Sequence, residues 1–151
     1  MILTSLRALF NRDLNKLKTE IGLYEKESNI WLLAPGIANT AGNLCLHLVG
    51  NLNAYIGAEI GKTGYIRHRD LEFSIKDVPR AELISKVEET IKIVDMSLSL
   101  LTDADLEKAY HLHKIDGFPE HTGFILMHLE SHLTYHLGQI NYHRRMLDRQ
   151  V

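Results

Sequence analysis

The chain has 151 residues, with 17 basic against 19 acidic side chains and a formal charge of −2. That is the size of one domain, taken as 1–151, and it carries no bulk charge for nucleic-acid phosphates. The only cysteine, Cys45, excludes an internal disulfide and a thiolate zinc cluster and fits a reducing, cytoplasmic setting. No apolar run approaches the roughly 20 residues of a membrane span, and the start Met-Ile-Leu-Thr-Ser-Leu-Arg has no signal-peptide pattern; neither membrane nor nucleic acid is an expected partner.

Hydrophobic spacing predicts four long helices. The first covers about 3–25, where Leu3, Leu6, Phe10, Leu14, Leu17 and Ile21 recur at three- and four-residue steps and share a face. A loop with Trp31, Pro35 and Gly36 follows. Asn39 or Thr40 is the expected cap of a second helix reaching about Ile60, ended by Gly61 and Gly64. Residues 62–77 show no helical period and read as a long polar crossover. Asp77 followed by Pro79 is the expected start of helix three, whose stripe is Leu83, Val87, Ile91, Val94 and Leu98. Thr102-Asp-Ala-Asp-Leu106 reads as a capped short turn, residues 109–119 as irregular or weakly extended, and 120–147 as helix four. Four amphipathic helices make an all-α four-helix bundle the natural way to bury these stripes, and the long crossover permits an up-down-down-up order.

Nine histidines in such a chain are unusual. His128, His132 and His136 follow at four-residue steps, so their rings line one side of helix four, flanking the stripe of Leu126, Leu129, Leu133, Leu137, Ile140 and Leu147. Two imidazoles at i, i+4 can bind one ion from a single turn, with a third ligand from another helix. His47, beside Leu44, Leu48 and Tyr55 on helix two, is the best such candidate. His68, His111, His113 and His121 fall in loops or near helix starts, and His143 shares the side of His128. Histidines at a core edge also serve as hydrogen-bonded structural residues, and spacing alone does not separate the two readings.

Other metal chemistries are excluded letter by letter. A zinc protease needs glutamate directly after the first histidine, whereas Glu130 sits two residues after His128 and about 160° from His132. A di-iron bundle needs two Glu-x-x-His motifs, and the sequence contains none.

Leu46-His47-Leu48 on helix two and His132-x-x-x-His136-Leu-Gly138-Gln139-Ile140 on helix four resemble the DinB-like (YfiT-like) metal-dependent proteins, as do the helix order and length. The resemblance implies an up-down-down-up four-helix bundle, often a homodimer. It also implies a divalent metal on three histidines, here His47, His132 and His136, and small thiols as cosubstrates of transferases or an isomerase. His128 is an addition to that pattern.

Three neutral imidazoles leave a coordination position for water or substrate, so a small-molecule enzyme is expected, for thiol transfer or metal-assisted hydrolysis. The alternative is a non-enzymatic dimeric stress-response or ligand-binding bundle, with a structural metal or none. Zinc, nickel, iron and manganese all accept imidazole. Asn51 and Gln139 either orient a ligand or are helix-surface amides, the surface reading being preferred for Asn51. Arg67, His68 and Arg69 either meet an anionic substrate or lie in a solvated loop, the latter preferred. Tyr55 and Tyr135 are expected in the core or an interface. Gly138 is expected to leave room near the site, and Arg144, Arg145 and Arg149 to complement the helix dipole.

Overall fold

The computed structural model describes residues 1–110 and 120–148; the expected irregular stretch, with His111 and His113, lies largely outside them. Five α-helices account for most of the chain: α1 (Ile2–Gly22), α2 (Ala41–Leu52), α3 (Arg69–Ser74), α4 (Arg80–Ser99) and α5 (Thr122–Leu147). Two short 3-10 turns, Glu27–Trp31 and Asp103–Glu107, fill the connections. The second carries the expected cap, Thr102 and Asp105 bonding reciprocally. Among the described residues there is no strand, only an isolated bridge between Ala109 and His121, and no helix is long and apolar enough to cross a membrane.

Specific contacts fix the direction of each long helix. Arg7 meets Asp95 and Lys18 meets Glu88, so α1 and α4 are antiparallel. Asp13 meets Thr134 and Glu20 meets Arg144, so α1 and α5 are parallel. Asn53 bonds Thr90 and Gly57 lies against Ile93, so α2 and α4 are parallel. The order is therefore up-down-down-up, with α3 in the connection between the two parallel neighbours. All six residues of the first helix's apolar stripe are buried, as are Leu126, Leu129, Leu133, Leu137 and Ile140 of α5.

Three expectations change. The crossover is not without helix: α3 occupies its second half and packs on α2. Asp77 does not cap α4; it takes the left-handed conformation with φ of 57°, which a short polar side chain tolerates, and Pro79 is the capping position without a side-chain bond. Thr40 does cap α2, accepting from Asn43 N at 3.0 Å, but the helix does not run regularly to Ile60. Asn53–Ala58 wind as a π-helical turn. Buried Asn53 steadies that turn, donating Nδ2 to Val49 O at 2.8 Å and to the Thr90 hydroxyl at 2.9 Å.

His143 belongs to the core. Its Nε2 lies 3.0 Å from Leu32 O and its Nδ1 2.7 Å from the Tyr24 hydroxyl. A carbonyl only accepts, so Nε2 carries the proton and Nδ1 accepts from tyrosine. Burial lowers the His143 pKa against the opposing pull of the Leu32 carbonyl. Unfolded histidine titrates near 6.5, so below that pH the unfolded chain binds more protons and this contribution to stability is lost as pH falls. Urea unfolding at pH 7 and pH 5 should show the loss, with a shallower slope in His143→Gln. An identical slope in the variant would exclude His143 as a source.

Candidate metal site

α2 and α5 cross the bundle antiparallel and bring three imidazoles together. His47 Nε2 lies 3.1 Å from His132 Nε2, and His136 Nε2 lies 3.1 Å from the same atom. One ligand atom from each residue falls within 4.8 Å of the other two, close enough for the three to hold one metal ion. Zinc–nitrogen bonds near 2.0–2.1 Å in tetrahedral geometry set nitrogen atoms about 3.3 Å apart, so the observed spacing fits a shared ion.

Proton counting gives a second test of fit. His47 Nδ1 is 3.0 Å from the Glu72 carboxylate, and His136 Nδ1 is 2.6 Å from Gln139 Oε1. Each Nδ1 that donates its proton there leaves an unprotonated Nε2. Two lone pairs thus face His132 Nε2, which has at most one proton to offer while neutral. Placing that proton on Nε2 satisfies only one neighbour well, and His132 Nδ1 is itself buried without a partner. A cation bound by all three Nε2 atoms removes the conflict of lone pairs, with the His132 proton then on Nδ1.

Burial, then the nearby His136, His47 and His128, pushes the His132 pKa down to about 4. Burial also lowers that of His136, partly opposed by its bond to Gln139. Both rings are therefore neutral at pH 7, the form that a metal requires.

Glu72 is the residue that the sequence reading missed. It comes from α3, is buried, and bonds Arg67 through both oxygens, Nε to Oε2 at 2.8 Å and Nη2 to Oε1 at 2.7 Å. Burial alone would raise its pKa, but Arg67 and His47 outweigh burial and hold it below the ordinary value. Arg67 is thus no solvated loop residue; it also sits over the Tyr55 ring at 5.7 Å. A six-residue helix spans under two turns, too few for a readable period.

The other candidates sort by geometry. His128 packs its ring 6.4 Å from His132 but is not one of the three convergent donors. His68 precedes α3, and His121 caps α5 by accepting from Phe124 N. Gln139 does orient His136. Asn51, expected on the surface, is buried with Oδ1 unpartnered. Tyr55 packs against the core, whereas Tyr135 is 65% exposed. Gly138 lines a groove of about 580 Å³ between α1 and α5, so the room it leaves faces α1 rather than the histidines. Glu130 also faces α1, sharing the Thr134 hydroxyl with buried Asp13, which keeps it from the protease role. Phe73 of α3 flanks His47, ring centroids 5.0 Å apart, and Tyr135 flanks His136 at 5.4 Å.

These features define an all-helical bundle with a candidate three-histidine metal centre between two of its helices. The family model described as "Protein of unknown function (DUF1572)" matches residues 3–150, and the chain belongs to that family. No curated protein and no solved structure shows a significant match.

Proposed function

We propose that this chain is a DinB-like metalloprotein that binds one divalent ion through His47, His132 and His136 and acts on small molecules, as a thiol-dependent transferase or a metal-assisted hydrolase. The observation that carries the reading is the convergence of three Nε2 atoms with two of the three tautomers set by Glu72 and Gln139. When bound, such an ion supplies a Lewis acid that lowers the pKa of a coordinated water or thiol. The chain's own part is to hold the imidazoles in register, and to flank them with Phe73 and Tyr135.

A homodimer belongs to the same reading. The apolar stripe of α1 is spent in the chain's own core, so this reading looks to another face for the partner. Met127, Tyr135, Tyr142 and Met146 of α5 are exposed and lie within about 100° of one another round the helix, which gives a dimer an apolar face.

The test compares metal-free and zinc-, nickel-, iron- or manganese-loaded protein without a histidine tag. Consumption of small thiols with an electrophilic cosubstrate, and hydrolysis of activated esters, would be followed. Turnover is expected only with metal, and is lost in His132→Ala. Metal-loaded protein without turnover in either assay would favour the non-enzymatic bundle.

A further inference from the structure

We propose that Glu72, carried into the bundle by the crossover helix α3, is a positioning residue that forces His47 to present its Nε2 lone pair to the metal. The proposal rests on the metal reading above and adds the device that sets one ligand's tautomer.

α2 is shaped to receive this carboxylate. Asn43, His47 and Gly50 follow at i, i+4 and i+7 and so lie on one stripe. Asn43 Nδ2 donates to Glu72 O at 2.9 Å and to Ile75 O at 2.8 Å, pinning the backbone of α3. His47 Nδ1 meets Glu72 Oε1 at 3.0 Å. Gly50 is the third contact: a Cβ at this position would overlap the Glu72 carboxylate, Oε2 first. Any side chain at residue 50 therefore displaces Glu72. Arg67 then closes over the outer side with two bonds.

Arg67 makes the consequence specific. Its Nη2 lies 3.3 Å from His47 Nδ1 as well as 2.7 Å from Glu72 Oε1. With the carboxylate present, Nδ1 donates to Oε1 and so does the guanidinium, and the two donors share an acceptor. Without it, the imidazole nitrogen 3.3 Å away is the side-chain acceptor left within reach of Nη2. His47 would then move its proton to Nε2, the atom that must be bare for a metal. Glu72 thus decides between two tautomers, only one of which ligates. Outer-shell carboxylates that orient ligating histidines are worth roughly 10–100-fold in metal affinity.

The experiment uses the full chain and two readouts. Long-range ¹⁵N–¹H correlation spectra of the metal-free protein report which His47 nitrogen is protonated, and chelator competition reports zinc affinity. Wild type is expected to show Nδ1–H. Glu72→Ala should show Nε2–H and bind zinc roughly 10–100-fold more weakly. Gly50→Ala should shift both readouts in the same direction with Glu72, Arg67 and all three histidines present. Alanine also favours the helix over glycine, so this variant decides the question should Glu72→Ala fail to fold. Removing Arg67 as well, in Arg67→Ala/Glu72→Ala, should restore part of the Nδ1–H population. An unchanged His47 tautomer in Glu72→Ala and Gly50→Ala, with zinc affinity within about twofold of wild type, overturns the proposal. A wild-type chain that takes up no zinc would instead defeat the metal reading, and the tautomer spectra would still decide the role of Glu72.

Discussion

His132→Ala is expected to abolish metal binding while leaving the bundle folded. His132 Nε2 is the common neighbour of the other two donors, 3.1 Å from each. Its loss leaves one donor on α2 and one on α5 with nothing between them. The fall in affinity should exceed the roughly 10–100-fold that an outer-shell change costs. The metal-free variant should be no less stable than metal-free wild type, because the truncation removes a buried, unpartnered Nδ1 and the crowding of lone pairs around Nε2. Excess metal at a thousand times its Kd stabilises a one-site protein by about 4 kcal/mol. Thermal unfolding with and without zinc should show that gain in wild type and none in the variant. An equal zinc-induced shift in both would exclude His132 as a ligand.

The second large effect is a contrast between neighbours. His136→Ala is expected to lose tight binding and His128→Ala to keep it, although both residues lie one turn from His132. His136 Nε2 converges with the other donors and its Nδ1 is held by Gln139. His128 is exposed and offers no atom to the cluster. Calorimetric titration of both variants at one pH measures the contrast. Tight binding by His136→Ala together with loss in His128→Ala would move the site one turn toward the start of α5.

The long helices were legible because each buries one stripe. Leu3 through Ile21 on α1 and Leu126 through Ile140 on α5 keep a period of three to four residues, and the structure buries those stripes. His132 and His136 followed from the same arithmetic, and His47 from needing a partner on another helix. α2 was misjudged because its period was read as one-sided. Residues 41–58 contain no Asp, Glu, Lys or Arg, and a helix with no charged face to turn to water packs on all sides. That signal would have placed Asn51 inside rather than on the surface. Glu72 left no such signal. It lies 25 residues from His47 on a helix too short to show a period, and its role exists only once α3 folds back onto α2. The tight fit of Gly50 against it was hidden for the same reason, since a glycine in a helix does not announce what will lie over it.

The most direct test of the metal centre is anomalous X-ray diffraction from crystals of the chain purified without a histidine tag and supplied with zinc, with data collected at the metal absorption edge. The expected result is one anomalous peak per chain, about 2.0–2.1 Å from the Nε2 atoms of His47, His132 and His136. A metal-free map from protein held in excess zinc, or a peak bound elsewhere with these three imidazoles left bare, would contradict it.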